Sequence, residues 1–546
     1  MGVGCALATN TQGRERPATP LSTLVDPMSR IAHFIGPCDL DARLASIPKE
    51  PGSGTIVLVE SIDKGNALPF HRQKLVLVLS AMRHFAQTLR EAGHDVEIVQ
   101  AQSYVEGIQR HVTRHGSSGV IALRPRDVGI EASLRKADFG VPLTLLDDGG
   151  PGGHFLLTRA EFTSWAKDRE HLRMDVFYRW MRRRMDVLME GGKPVGGKWS
   201  YDKDNRKPVK GDVAPSLPRY PPDAVTRGVM SEVSKWSKGW GNIEGFGWPV
   251  TREQAMHALA HFVSERLALY GDYQDAMVEG EPFLWHACIA PALNLGLLHP
   301  TDLLDAVLEA YRAGAAPLNA VEGFVRQVLG WREFIRGVYH ERMPGLREAN
   351  RFQADVPLPD IFWDPERTEM ACVRDAVRSV RDHGYAHHIQ RLMVLGNLGL
   401  LLGIRPLDLS HWFWAGFVDA HEWVELPNVH GMALAADSTF TTKPYAASGA
   451  YIKRMSNHCR GCVYDVKTKT ESNSCPFNSL FWDFMVRHRE ELSRNPRLAM
   501  LLRTWDKWSD EQQSAIRDRA AHVRDSLQPA AKDPVFGAWS FHDDAG

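Results

Sequence analysis

The most specific chemistry in this 546-residue sequence sits on four cysteines. Cys459 and Cys462 form a C-x2-C pair and Cys475 follows after twelve residues, so three of only seven cysteines fall within seventeen positions. Three thiolates need a fourth partner to complete a tetrahedral zinc site or an iron-sulfur cluster, and Cys372, near the start of a strongly helical segment, offers one. A zinc ribbon would bring a second C-x2-C, which is missing here. The set therefore favours 4Fe-4S over zinc, with metal-free buried thiols as the third reading. The intervening stretch, Val463 to Ser474, is polar and charged and has little core of its own, so a metal is what would hold it.

Two other constellations carry chemistry. In H-H-I-Q-R (His387 to Arg391), helical spacing places His388, Arg391 and Leu395 on one face, with an imidazole available to give and retake a proton near neutral pH. Taken alone, such a pair reads as a polar surface patch or a capped core histidine. Between Thr158 and Lys210, Arg179, Arg182, Arg183, Arg184, Lys193, Lys198, Lys203, Arg206, Lys207 and Lys210 alternate with Tyr178, Trp180, Trp199 and Tyr201. That segment reads either as a solvated linker or as a strip lying along a phosphate backbone. The Gly-rich turn Asp147 to His154 lacks the G-x-G-x-x-G spacing and is not expected to hold a dinucleotide.

The length implies at least two domains, and a formal net charge of -1 confines any nucleic-acid surface to a local patch. The cysteines form no disulfide framework, the first residues lack a signal-peptide pattern, and no apolar run reaches membrane-spanning length, which points to a cytoplasmic protein. From Ile31 to Leu146, short apolar runs alternate with helical ones such as Gln73 to Ala92 and Tyr104 to His115, the pattern of a doubly wound parallel sheet. Ligands of such sheets sit at the carboxyl ends of strands, where Glu60 and Ser61 lie. Beyond Thr251 the helical period takes over, with helices expected over 251–269, 282–296, 300–313, 318–339, 366–384, 387–402 and 478–488. Thirteen of the sixteen tryptophans lie after Met230. The expected divisions are a flexible leader (1–30), an α/β domain (31–157), a linker with the basic strip (158–250), a large all-α domain (251–530) and a tail (531–546).

Several strings converge on a known family: S-A-M-R-H-F-A (from Ser80), G-G-K-W-S-Y-D-K-D-N-R-K-P (from Gly196), Y-G-D-Y-Q-D-A-M (from Tyr270), G-W-R-E-F-I-R-G (from Gly330), G-Y-A-H-H-I-Q-R-L-M-V (from Gly384), E-W-V-E-L-P-N-V-H-G-M (from Glu422) and the cysteine segment. Together they resemble the iron-sulfur bacterial cryptochromes and photolyases, the prokaryotic (6-4) photolyases. The resemblance implies a cryptochrome/photolyase fold, FAD in the helical domain, a 4Fe-4S cluster on Cys372, Cys459, Cys462 and Cys475, and a 6,7-dimethyl-8-ribityllumazine antenna near Glu60 and Ser61. It implies a monomer acting on UV-damaged DNA, with no membrane involvement. In this reading FAD drives light-dependent reversal of (6-4) photoproducts and His388 supplies the proton.

The resemblance also places Glu425 and Asn428 at the N5 edge of the flavin. Tyr273, His286, Gln327, Arg332 and Arg391 stand around the cofactor, with Trp331 as a stacking wall and Tyr445 near the lesion. Lys443 and Tyr451 join Arg182, Arg183 and Arg184 on DNA. Trp412 and Trp363 form an electron relay.

This chain departs from the pattern at His286-Ala287 in the phosphate loop, Phe413 and His421 in the relay, and Lys64 in the antenna loop. The altered relay is expected to leave through Trp414 or Trp423. A photoreceptor with the same chromophores and little repair activity is the first alternative. A non-photochemical 4Fe-4S nucleic-acid-binding protein, as in primase large subunits, is the second; it explains the cysteines and the basic strip but not the N-terminal sheet.

Overall fold

In a computed structural model the chain is described over residues 30–236, 238–439 and 443–527; most of the expected leader and all of the tail lie outside these. Five parallel strands, β1 (Ile31–Ile35), β2 (Thr55–Ser61), β3 (Asp95–Ala101), β4 (Gly119–Leu123) and β5 (Leu143–Leu146), form one sheet in the order β3-β2-β1-β4-β5. The order reverses between β1 and β4, and there the crossovers leave a crevice at the carboxyl ends of the strands. Side chains alternate with the pleat. Ala32, Phe34, Val57, Val59, Val120 and Ala122 face α2 (Tyr104–His115) and α3 (Val128–Lys136). Ile35, Ile56, Leu58 and Leu123 face α1 (Arg72–Glu91) and share one continuous core with the helical half.

Within the segment 158–250, three helices pack into the core, while the stretch 190–223 is irregular and largely exposed. Thr158 caps a helix over Arg159–Ala166 in a capping box with Glu161. The next helix, α4 (Met174–Met185), buries Phe177, Tyr178 and Met181 in the main core beside Phe334, and α5 (Ala224–Val233) packs on α1. The expected helix over 282–296 shrinks to Ala290–Leu295, because Leu284 and Cys288 adopt left-handed φ of 42° and 54°, which an α-helix cannot continue. Further on come α6 (Ala371–His383), α7 (Pro406–Gly416), α8 (Pro476–Arg487) and α9 (Asp510–Ser526). No described helix is long and apolar enough to cross a membrane.

The Gly-rich turn is a joint between the two halves. Asp148 is buried and accepts from Arg336 Nη2 at 2.6 Å and Arg159 Nε at 3.0 Å, pairs that hold its carboxyl far below the usual range. A Cβ on Gly149 would stand 1.7 Å from the Leu157 carbonyl oxygen, so only glycine permits this approach.

Candidate active site and metal centre

Wide π-type turns mark the heart of the helical half. They run over Arg326–Arg332, Gln390–Gly396 and Asn428–Ala433, and they carry Gln327, Trp331 and Arg332, then Arg391, then Asn428. Such turns re-aim side chains and concentrate at functional sites. One consequence is that 3.6-residue spacing fails beyond Gln390. Leu395 is fully buried while His388 is exposed, so the two do not share a face.

Arg391 forms the centre of a buried charge group. Its guanidinium donates to both oxygens of Asp419 at 3.0 Å, and Glu425 Oε1 lies 3.8 Å from Nη1. Burial pushes the Glu425 carboxyl up to about 7, with Arg391 opposing and Asp419 adding to the rise. Burial also lowers the Lys74 ammonium to about 7; it donates to the carbonyls of Trp414 at 2.5 Å and Ala420 at 2.6 Å. Asn428 Nδ2 donates back to Val424 O at 2.7 Å, leaving its Oδ1 for another partner.

Beside this group the rings of His286 and His387 stack, 4.7 Å apart and 8° from parallel. Burial holds both imidazoles neutral, His286 at about 3. His286 Nε2, both nitrogens of His387 and Gln390 Nε2 are buried with no hydrogen-bond partner. Orphaned polar atoms gathered in one place are what a bound polar cofactor would satisfy, so these residues fit a flavin.

His388 is the histidine of this cluster that meets solvent. Protein crowding first, then the Arg391 charge, lower its pKa to about 4, and the Asp202 carboxylate opposes them. The exposed ring keeps contact with water, which moderates that depression. Asp202 also acts, with Asp275 and Arg206, on Tyr445 and Tyr451, and Arg206 pairs with Asp202 and lies 3.8 Å from Asp275. Tyr451 carries Arg454 over its ring at 5.3 Å. Tyr273 stacks on Trp285 at 4.6 Å and bonds to Asp212. Gln327 Nε2 donates to Gly323 O at 3.1 Å, and Trp331 is half-buried against Phe334.

Cys372, Cys459, Cys462 and Cys475 converge on one small enclosed space that Met370, Ile452, Tyr464 and Phe477 close off. Burial and the neighbouring sulfurs push the Cys372, Cys459 and Cys475 thiols up, Cys475 to about 12. No three of the four sulfurs lie within 4.8 Å of one another. Four sulfurs facing one enclosed space are a donor set that fits an iron-sulfur cluster or a zinc ion.

Residues 34–248 match the family described as deoxyribodipyrimidine photo-lyase-related protein. A relative from Agrobacterium fabrum, named (6-4) photolyase, is 40% identical over 478 residues, spanning 86% of this chain and 93% of that one. The chain belongs to the (6-4) photolyase family. The fold agrees: a bacterial class III photolyase from Agrobacterium tumefaciens superposes with a TM-score of 0.51 at 15% identity, over 80% of this chain and 88% of the other. A Synechocystis cryptochrome superposes with a TM-score of 0.51 at 13% identity, over 78% and 88%.

Within this photolyase-family fold several expected residues lie elsewhere. Arg182 is fully enclosed and donates to the carbonyls of Val187, Leu188 and Trp199, so no phosphate reaches it. Arg184 is matched by Glu161, whereas Arg183 is exposed over the Trp199 ring at 4.6 Å and Lys443 is exposed. Arg332 sits at the joint with the sheet, 4.1 Å over Phe155 and bonded to Glu333, where burial lowers it to about 9.

Trp412 and Trp363 are bridged by Trp240, a residue absent from the expected relay, with ring centroids 6.5 Å and 5.4 Å apart. Trp414, His421 and Trp423 instead line the crevice of the sheet. That crevice, partly open to solvent, is walled by Phe34, Phe70, Leu75, Tyr104 and Trp236. Glu60 reaches it, but both of its carboxylate oxygens are held by Arg83 at 2.8 and 3.0 Å, and Ser61 caps a short helix through Lys64 N. Lys64 pairs with Asp127 at 2.6 Å. Asp419, Lys74, Asp202 and Trp240 were not identified from sequence. For Asp419 the signal was the need of a buried arginine for a carboxylate; the others sit in segments without periodicity or on an apolar helix.

Proposed function

We propose that the protein is a light-driven DNA lyase that reverses (6-4) pyrimidine photoproducts, with FAD among the helices, a 4Fe-4S cluster on the four cysteines and a ribityllumazine in the sheet crevice. His388 carries this reading. It is the imidazole turned toward the opening, backed by buried neutral histidines and faced by Asp202. Reduced FAD, when bound, supplies an electron to the lesion on excitation.

This chain's own residues do the rest. Arg391 and Asp419 hold each other in fixed orientation, and Glu425, balanced near neutrality, takes or releases a proton at Oε1. His388 is neutral in the open site. The phosphates of a docked strand add to the Asp202 charge and draw a proton onto the ring, which then donates it to the flipped-out base. Trp331 offers a face on which that base can stack. Trp412, Trp240 and Trp363, in contact in that order, would carry an electron from the surface toward bound flavin, and Arg183, Lys443 and Tyr451 meet the DNA backbone. Illumination of the reduced holoprotein with an oligonucleotide carrying one (6-4) lesion should restore the two bases. His388→Ala should bind the same DNA and leave the lesion intact; undiminished repair by that variant would remove the assignment.

A further inference from the structure

Far from the helical site, the outer edge of the sheet carries a second group of ligand-bearing side chains. Glu97 projects from the edge strand β3, and His111 and His115 stand one turn apart on α2. Glu97 Oε2 lies 2.6 Å from His111 Nδ1 and 3.4 Å from His115 Nε2, and the two imidazole centroids are 4.2 Å apart. All three donor atoms fall within 4.8 Å of one another, and this is the one such group of three or more among the described residues. We propose that Glu97, His111 and His115 form a site for a zinc-like divalent transition-metal ion.

Two imidazole nitrogens and one carboxylate oxygen are the donors such ions take at about 2.0–2.2 Å, a distance that sets ligands ~3.3 Å apart in a tetrahedron. The observed separations bracket that value, so small rotamer changes would close the shell. Mg²⁺ and Ca²⁺ prefer all-oxygen shells and are disfavoured. Glu97 and His115 are partly exposed, which gives an ion access and leaves the fourth position to water.

A second shell is also in place. His111 Nε2 lies 2.8 Å from the buried Thr55 hydroxyl. A hydroxyl can donate or accept, so it serves both states of the ring. Without an ion Nδ1–H donates to Glu97 and Thr55 donates to Nε2. With an ion Nε2–H donates to Thr55 and the Nδ1 lone pair faces the metal. Arg114 occupies the other oxygen of Glu97, but its side chain is 68% exposed and is free to swing outward. The ion would pin the last turn of α2 to β3, and the first residue of α2, Tyr104, lines the crevice.

The test is calorimetric titration of the flavin- and cluster-loaded protein with ZnCl2, and separately with MgCl2. We expect one zinc per chain at this site, an upward shift in melting temperature with zinc and none with magnesium. His115→Ala and Glu97→Gln should each weaken zinc binding by at least about tenfold while flavin and iron-sulfur absorbance stay unchanged. Arg114→Gln frees the second carboxylate oxygen and should tighten binding. Absence of zinc uptake, or uptake indifferent to all three substitutions, would overturn the proposal.

Discussion

Asp419→Asn removes the anion held by two bonds at 3.0 Å to the buried Arg391, and its cost depends on whether Glu425 takes over. Stripping a partner from a buried ion pair costs about 3–5 kcal/mol when the remaining charge is left alone. Here Glu425 Oε1 already stands 3.8 Å from Nη1, and a charged hydrogen bond recovers roughly 1.5–3 kcal/mol. The net loss should therefore be on the order of 1–3 kcal/mol. Glu425→Gln alone leaves the Arg391–Asp419 pair whole and should cost less than about 1 kcal/mol. The double variant has no anion and should lose the full ~3–5 kcal/mol, a coupling of roughly 1–2 kcal/mol. Thermal melts at pH 8, where Glu425 is ionised, read these losses as falls in melting temperature, with flavin content measured alongside. Strictly additive effects, or an unchanged melting temperature for Asp419→Asn, would refute the idea that the two carboxylates share one arginine.

Trp240→Phe should slow photoreduction of the flavin at unchanged flavin content, while Trp414→Phe should not; equal rates for both would remove Trp240 from the relay. Gly449→Val should lose the iron-sulfur absorbance, because even a Cβ there would stand 2.8 Å from Cys475 Sγ and Val466 Cγ2, whereas Gly461→Ala, with open space around it, should keep it. Burial depresses His71 to about 4 and His286 to about 3. With unfolded values near ~6.5, their contribution is whole above that pH and falls by up to about 1.4 kcal/mol per group for each unit below it. Melting temperature should accordingly drop from pH 7 to pH 5, and a flat profile would contradict the assignment. Arg183→Ala should weaken DNA binding and reduce its salt dependence by about one contact, whereas Arg182→Met should lower stability without touching that slope; binding isotherms at several salt concentrations decide.

The sheet was legible because short continuous apolar runs and helical runs alternate from Ile31 to Leu146. Arg182 was placed on the surface because its arginine neighbours suggested one, while the apolar stripe Phe177, Tyr178 and Met181 beside it turns that face of the helix into the core. Spacing could not place Leu395, since nothing local distinguishes a π-type turn from an α-helix. The four cysteines were legible as a set because few residues rival thiolates in specificity. Partners brought together only by tertiary packing, such as Asp419 for Arg391 or Trp240 between Trp412 and Trp363, leave no mark on neighbouring sequence.

The Asp148 joint and the unbroken apolar layer under the sheet mean that the halves cannot be divided with a protease or a cloning boundary. A fragment ending at residue 157 would open the core that the α1 side of the sheet shares with the helical half and leave the Asp148 carboxylate stripped of Arg336. The same rigidity fixes the separation and tilt between anything lodged in the crevice and anything lodged among the helices.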